Sequence, residues 1–301
     1  MRKNLWFSLV SILLLTLILA ACGDNNASSN NDSSNNDANN EASNNNDSNE
    51  NDSNENENDA NNSEEAGEVM TRINESNTIK VGFEGTYPPF NYQDDDGEFT
   101  GFDVDISNEI ASRLGVEAEF VTSKWAGLIG GLNADKFDVI IAQMTVTEER
   151  KESVDFTDPY IVTGAVIVTH NDTDDITSLD ELNGKKVGAA AGTSFAELAE
   201  TAEGADVNLY EGGFATYVND VVNKRLDALV NDSLVMGYNI MESGHPIKIS
   251  SELLSRDENA MAVKKGNEDF IEKVNEAIAG MKDDGTYNEI YKKWFDMDPL
   301  E

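Results

Sequence analysis

A single cysteine, two histidines and five prolines in 301 residues leave several chemistries without material. One cysteine cannot close an intrachain disulfide or build a cysteine zinc site. His170 and His245 stand far apart, neither with a partner at metal-ligand spacing, and both read as surface residues. No metal, cofactor or catalytic residue is expected. Positive charge is also scarce: 21 Lys and Arg face 58 Asp and Glu, a formal net charge of −37. Nucleic acid is a poor partner for such a surface. Past residue 22, no apolar run nears the roughly 20 residues that a membrane span needs.

The first residues do carry a signal. Arg2 and Lys3 precede an apolar stretch from Leu5 to Leu19, and "LAAC" closes it at Cys22. A basic start, an apolar core and small residues before a cut form the secretory pattern. "LAAC" resembles a bacterial lipobox, which makes residues 1–22 a lipoprotein signal segment and Cys22 the lipidated residue. The protein is then held at the outer face of a membrane without crossing it, in a bacterium of Gram-positive type. Residues 23–76 follow as a predicted disordered tether. From Gly23 to Gly67 the chain is almost entirely Asn, Asp, Ser and Glu, with no aromatic, β-branched or basic residue to offset its ordering entropy by burial.

From about Asn77, strand-like and helix-like runs alternate. "TIKVGFE" reads as a strand, "FDVDISNEIASRLG" as an amphipathic helix and "FDVIIAQM" as a buried strand. The pattern repeats in "KKVGAAAGTS", "FAELAETAE", "TYVNDVVNKR" and "LDALVND". Alternation at this spacing predicts an α/β fold with mostly parallel sheets flanked by helices. "KFDVIIAQ" and "RLDALVND" look like two passes of one plan, hence two lobes: residues 77–163 with 259–301, and residues 164–258. The chain crosses between them twice, with hinges near Val162 to Ala165 and Arg256 to Ala260. Ligands of open α/β sheets sit outside the carboxyl ends of strands, so two facing sheets make a cleft.

Polar groups gather at the predicted strand exits. Arg150 follows "VIIAQMT", Thr193 and Ser194 follow "KVGAAAG", and Asp232 follows "LDALVN". A guanidinium binds a carboxylate through two parallel hydrogen bonds. N–H groups at the helix start after Thr193 add donors for the same anion, and Asp232 accepts from an ammonium group. Carboxylate plus ammonium is a free amino acid. Taken singly, Thr193, Ser194 and Asp232 are also ordinary N-caps. Tyr87 and Trp125, at junctions on the cleft side, supply apolar walls, and Glu84 can meet a second positive group on the ligand.

"VGFEGTYPPFNYQDDDGEFTGFDVDISNEIASRLG", "VIIAQMTVTEERKESVDFTDPY", "LNGKKVGAAAGTS" and "DGTYNEIYKKWF" resemble, in fixed order, the solute-binding proteins of polar amino acid ABC transporters. The likeness runs from about Ile79 to Phe295. It implies a two-lobed periplasmic-binding-protein fold of type II with a mixed, mostly parallel sheet in each lobe. It also implies an extracellular monomer that delivers its ligand to a membrane permease driven by an ATPase subunit. In that family the "TxTxxR" arginine, here Arg150, holds the ligand's α-carboxylate with help from Thr145. Thr193 and Ser194 add backbone donors, Asp232 takes the α-ammonium, and Tyr87 and Trp125 wall the side chain. "VGFEGTYPPF", "SKW", "LSRDENAMAVKKGNEDF" and "KKWF" are most similar to the cystine-binding branch. Ala142, Gln143 and Phe195 lie beside the implied pocket, with Gln143 among its ligand-binding residues. Glutamine, arginine and lysine are the alternative ligands. A dehydratase or a sensor domain on the same fold is the alternative to a binder.

Overall fold

A computed structural model describes residues 67–211 and 213–299. Cys22, the signal segment and most of the expected tether lie outside them. The end of that tether differs from expectation, because Glu68–Ser76 forms a helix, α1. Its apolar Val69 and Ile73, four residues apart and so on one helix face, are both buried. Its N-terminus is capped from far along the chain: Asp269 Oδ2 accepts the Gly67 N–H at 2.8 Å and Asn267 Oδ1 accepts the Val69 N–H at 2.9 Å.

The first lobe is built on a five-stranded sheet. Its strands are β1 (Thr78–Phe83), β5 (Glu117–Thr122), β6 (Val139–Ile140), β7 (Asp155–Phe156) and β15 (Ala262–Val263), in the order β5-β1-β6-β15-β7. Three short strands, β2 (Thr86–Tyr87), β3 (Asn91–Gln93) and β4 (Phe99–Thr100), fold over its edge. Helices α2 (Phe102–Leu114), α3 (Leu128–Asn133), α4 (Glu148–Lys151), α8 (Glu268–Asp284) and α9 (Thr286–Phe295) complete the lobe. The second lobe has β9 (Ala165–His170), β10 (Lys186–Ala190), β11 (Asp206–Tyr210), β12 (Ala228–Asp232) and β13 (Ile247–Ile249), ordered β11-β10-β12-β9-β13. Around it lie α5 (Ser194–Glu200), α6 (Ala215–Val222) and α7 (Ser233–Ser243).

Each sheet has two parallel and two antiparallel pairings, so the expected parallel majority is an even split. The parallel half comes from strands joined through helices. The antiparallel half comes from the strands that enter and leave a lobe. Those connections run through β8 (Ile161–Thr163) and β14 (Asp257–Asn259), which pair antiparallel. Gly164 follows β8, and a Cβ there would stand 2.2 Å from the Ser255 carbonyl oxygen. Only glycine lets the two crossing segments approach so closely. His170 is also not the surface residue expected. It ends β9, is buried, and its Nδ1 accepts the Asp172 N–H at 3.1 Å.

The core follows the sheets. Val81, Phe83, Phe102, Ile106 and Phe270 are fully buried in the first lobe, and Ile167, Val187 and Val230 on one face of the second. The first cluster continues across the cleft, where the Tyr87 and Phe214 rings meet edge to face with centroids 5.8 Å apart.

Candidate functional site

Between the sheets lies a cavity of about 250 Å3 walled by both lobes. Eight of the nine residues expected to bind ligand line it: Glu84, Tyr87, Trp125, Gln143, Thr145 and Arg150 from the first lobe, Thr193 and Ser194 from the second. Asp232 is not among them. It is fully buried, and its Oδ1 accepts the Leu234 and Val235 N–H groups as the N-cap of α7, while Oδ2 accepts the Thr163 hydroxyl at 2.6 Å. Its charge still reaches the cavity wall, since it helps raise the pKa of the Tyr87 hydroxyl, after burial and Tyr217.

Arg150 sits in α4 because Thr147 caps that helix, accepting the Arg150 N–H at 3.2 Å. The guanidinium then folds back over the cavity. It donates to Thr145 O at 2.7 Å and to Gly192 O at 3.1 Å, and lies 5.3 Å from the centre of the Trp125 ring. Burial pulls its pKa below the ordinary arginine value, against the weaker pull of Glu197 and Glu149. None of the described carboxylates pairs with it directly. A guanidinium has five N–H donors, so several remain for an anion. Beside it, Thr145 Oγ1 and Ser194 Oγ are 3.1 Å apart across the cleft, and Trp125 Nε1 donates to Gly192 O at 2.8 Å.

Glu84 leaves β1 at its carboxyl end. Burial raises its pKa, partly offset by a hydrogen bond from the Trp125 backbone N–H. It too lacks a cationic partner among the described residues. Gln143 is buried, with φ +53° in the left-handed region that non-glycine residues seldom occupy. Its Nε2 has no acceptor among the described groups. A strained residue with a free buried donor on a cavity wall is a common mark of a ligand contact.

Further lining residues escaped the reading of the sequence: Asn91, Lys124, Tyr210, Glu211, Phe214 and Tyr217. "NLYEGGFATY" held a usable signal, since a carboxylate and three aromatics cluster after a strand exit there. The described residues hold no group of three or more His, Cys, Asp or Glu suited to a metal, and no helix long and apolar enough to cross a membrane.

Comparison with known proteins gives a consistent picture. The sequence profile of bacterial extracellular solute-binding proteins, family 3, matches residues 79–297. The L-cystine-binding protein TcyJ of Escherichia coli (strain K12) is 38% identical over 232 residues, covering 76% of this chain and 87% of that protein. An ancestral arginine-binding protein solved with arginine superposes with a TM-score of 0.69 at 40% identity, covering 73% of this chain and 98% of its own. The ancestral amino acid-binding protein AncCDT-1, a precursor of cyclohexadienyl dehydratase, gives 0.70 at 35% identity over 75% and 99% of the two chains.

Proposed function

The chain belongs to the bacterial extracellular solute-binding proteins, family 3, and on that premise we propose that it captures L-cystine for an amino acid ABC importer while tethered to the cell membrane through lipidated Cys22. The observation that carries an amino acid ligand is the pair of unneutralised charges in the cavity, Arg150 and Glu84. Withdrawing a charge from water without a partner is costly, so a half-buried cation and a half-buried anion in one cavity favour a ligand that brings both complements. Arg150, Thr145 and the first N–H groups of α5 at Ser194, which lack intrahelical partners, take the α-carboxylate. Glu84 takes the α-ammonium, with the negative charge of Asp232 behind that wall adding to its pull. Tyr87 and Trp125 enclose the body of the ligand, and Gln143 Nε2 donates to it.

Two features favour cystine among amino acids. The lining contains a second cation and a second carboxylate, Lys124 and Glu211, and cystine carries an ammonium and a carboxylate at each end. The likeness to TcyJ points the same way. The lobes close on the ligand about β8 and β14, because only the closed state offers it contacts from both sides. A permease then recognises the closed monomer. Binding without turnover is supported by the likeness to binding proteins such as TcyJ.

Calorimetric titration tests this reading. The chain from Gly67, unfolded and refolded to strip carried ligand, is titrated with L-cystine, glutamine, arginine and lysine. One-to-one binding of cystine in preference to the others supports it. Preference for another amino acid moves the specificity, and binding of none of them overturns the reading.

A further inference from the structure

Behind the cavity, where no ligand reaches, one carboxylate joins two of its walls. Asp103 is fully buried in the first turn of α2. Its Oδ2 accepts from Asn91 Nδ2 at 2.8 Å, and its Oδ1 accepts the Tyr160 hydroxyl at 2.7 Å. Each of these partners then holds backbone of the cavity wall. Asn91 Oδ1 accepts the Gly85 N–H at 3.0 Å, which fixes the segment between Glu84 and Tyr87. Tyr160 Oη accepts the Gln143 N–H at 2.9 Å, which holds Gln143 in its left-handed conformation.

We propose that Asp103 is the positioning residue of the ligand cavity, setting the Glu84–Tyr87 wall through Asn91 and the Gln143 wall through Tyr160. The direction of the hydrogen bonds supports it. Asn91 Nδ2 can only donate, and Tyr160 Oη, which already accepts from Gln143, donates its hydrogen to Asp103. Both oxygens therefore act as acceptors, which suits the ionised carboxylate, since protonation turns one of them into a donor. A proton on Asp103 Oδ1 would turn towards Tyr160 Oη and compete there with the Gln143 N–H. The tyrosine's own hydrogen would lose its acceptor. The first turn of α2 favours the ionised form, because a helix N-terminus attracts negative charge.

This network can titrate in a useful range, since burial pushes the Asp103 carboxyl up to about 7 against the lowering effect of Tyr160 and Asn91. Other titratable groups pack around this network. Tyr160 and Tyr87 have hydroxyls held well above their ordinary value. Tyr287 and Tyr291 of α9, which pack on Phe102, are also raised by burial. On the solvent side of α2, Asp105 pairs with Lys293. Two other carboxylates close to this wall are raised by burial, Glu84 and Asp232, the latter to about 6, and both serve as controls.

The test has two arms, and only the second rests on the amino acid reading above. In the first, the backbone amide resonances of Gly85 and Gln143 are followed from about pH 5 to pH 9 without ligand, a range that brackets the buried carboxyl. Both should inflect near pH 7 in the unaltered protein, in Glu84→Gln and in Asp232→Asn, and neither in Asp103→Asn. Tyr160→Phe, which keeps the ring stacked on Phe102, should abolish the Gln143 inflection and leave that of Gly85. In the second arm, L-cystine should bind about tenfold more weakly to Asp103→Asn and to Tyr160→Phe at pH 8, the effect of roughly one lost hydrogen bond. An unchanged Gln143 titration in Tyr160→Phe overturns the proposal, as does unchanged cystine affinity in both variants. Should Asp103→Asn fail to fold, Tyr160→Phe decides alone. If the unaltered protein does not bind cystine, the ligand reading has failed and the amide arm still decides the positioning role.

Discussion

The Tyr87 hydroxyl donates across the cleft to Asn231 Oδ1 at 2.7 Å, and Asn231 Nδ2 donates onward to Tyr217 Oη at 2.7 Å. The two lobes are thus joined by a hydrogen bond formed by a residue of the cavity wall itself. A contact made only when the lobes are together adds to the closed state and so to apparent affinity. Tyr87→Phe removes this bond and keeps the ring against Phe214. Cystine affinity should fall by about 1 kcal/mol, the net worth of a typical hydrogen bond. Titration calorimetry with unchanged affinity would show that closure does not depend on it.

Arg150 should matter far more. Its replacement by alanine removes the guanidinium beside Thr145 and Ser194 and leaves the ligand carboxylate unpaired, an effect of roughly 2–5 kcal/mol. Arg150→Lys should rescue little of that, because an ammonium lacks the planar fork that binds Thr145 O, Gly192 O and a carboxylate together. Both variants should unfold within a few degrees of the unaltered protein, since the side chain forms no ion pair with a described carboxylate. Near-normal binding by Arg150→Ala would place the carboxylate elsewhere.

Much of this site was readable from strand exits. Arg150, Thr145, Thr193 and Ser194 stand where chain direction reverses after short apolar strands, and the sheets bring those ends together. Residues whose role depends on distant partners were not readable. Val69 and Ile73 are the one local mark of α1, and the side chains that cap it, Asn267 and Asp269, lie about 200 residues away. Asp232 follows a strand like the others. Yet its position one residue beyond Asn231 turns its carboxylate onto α7 and Thr163, while Asn231 meets Tyr87. Phe214 and Tyr217 are buried and also line the cavity.

The helix at the start of the described chain gives a prediction about truncation. A protein beginning at Gly67 should bind and unfold like the full chain, since it retains α1. One beginning at Thr78 loses the burial of Val69 and Ile73, at about 1.5–3 kcal/mol each as an upper range, and the ion pair of Arg72 with Asp138. Its midpoint in urea should drop clearly. Equal stability of the two truncations would mean that α1 contributes nothing to the lobe it packs on.

Asp232 couples the site to pH with a definite sign. Burial pushes its carboxyl from the ordinary 3.8 up to about 6, against the lowering effect of Thr163 and the α7 N–H groups. Between those values the folded protein holds a proton that the unfolded chain has released. The contribution of Asp232 to stability is therefore full below its ordinary pKa and lost as pH rises through about 6, amounting to roughly 3 kcal/mol at one pKa unit per 1.36 kcal/mol. Asp232→Asn preserves the cap through Oδ1 and removes the buried charge. Relative to the unaltered protein, it should be least stable near pH 4 and at least as stable at pH 8, a comparison that cancels the other carboxylates. Cystine binding at pH 8 should weaken in the same variant, because the ammonium loses the negative potential behind Asn231. Thermal unfolding of the two proteins from pH 4 to pH 8 checks the first half, and calorimetry the second. A stability difference that does not change with pH would mean that this carboxyl titrates as it does in the unfolded chain, with capping outweighing its burial.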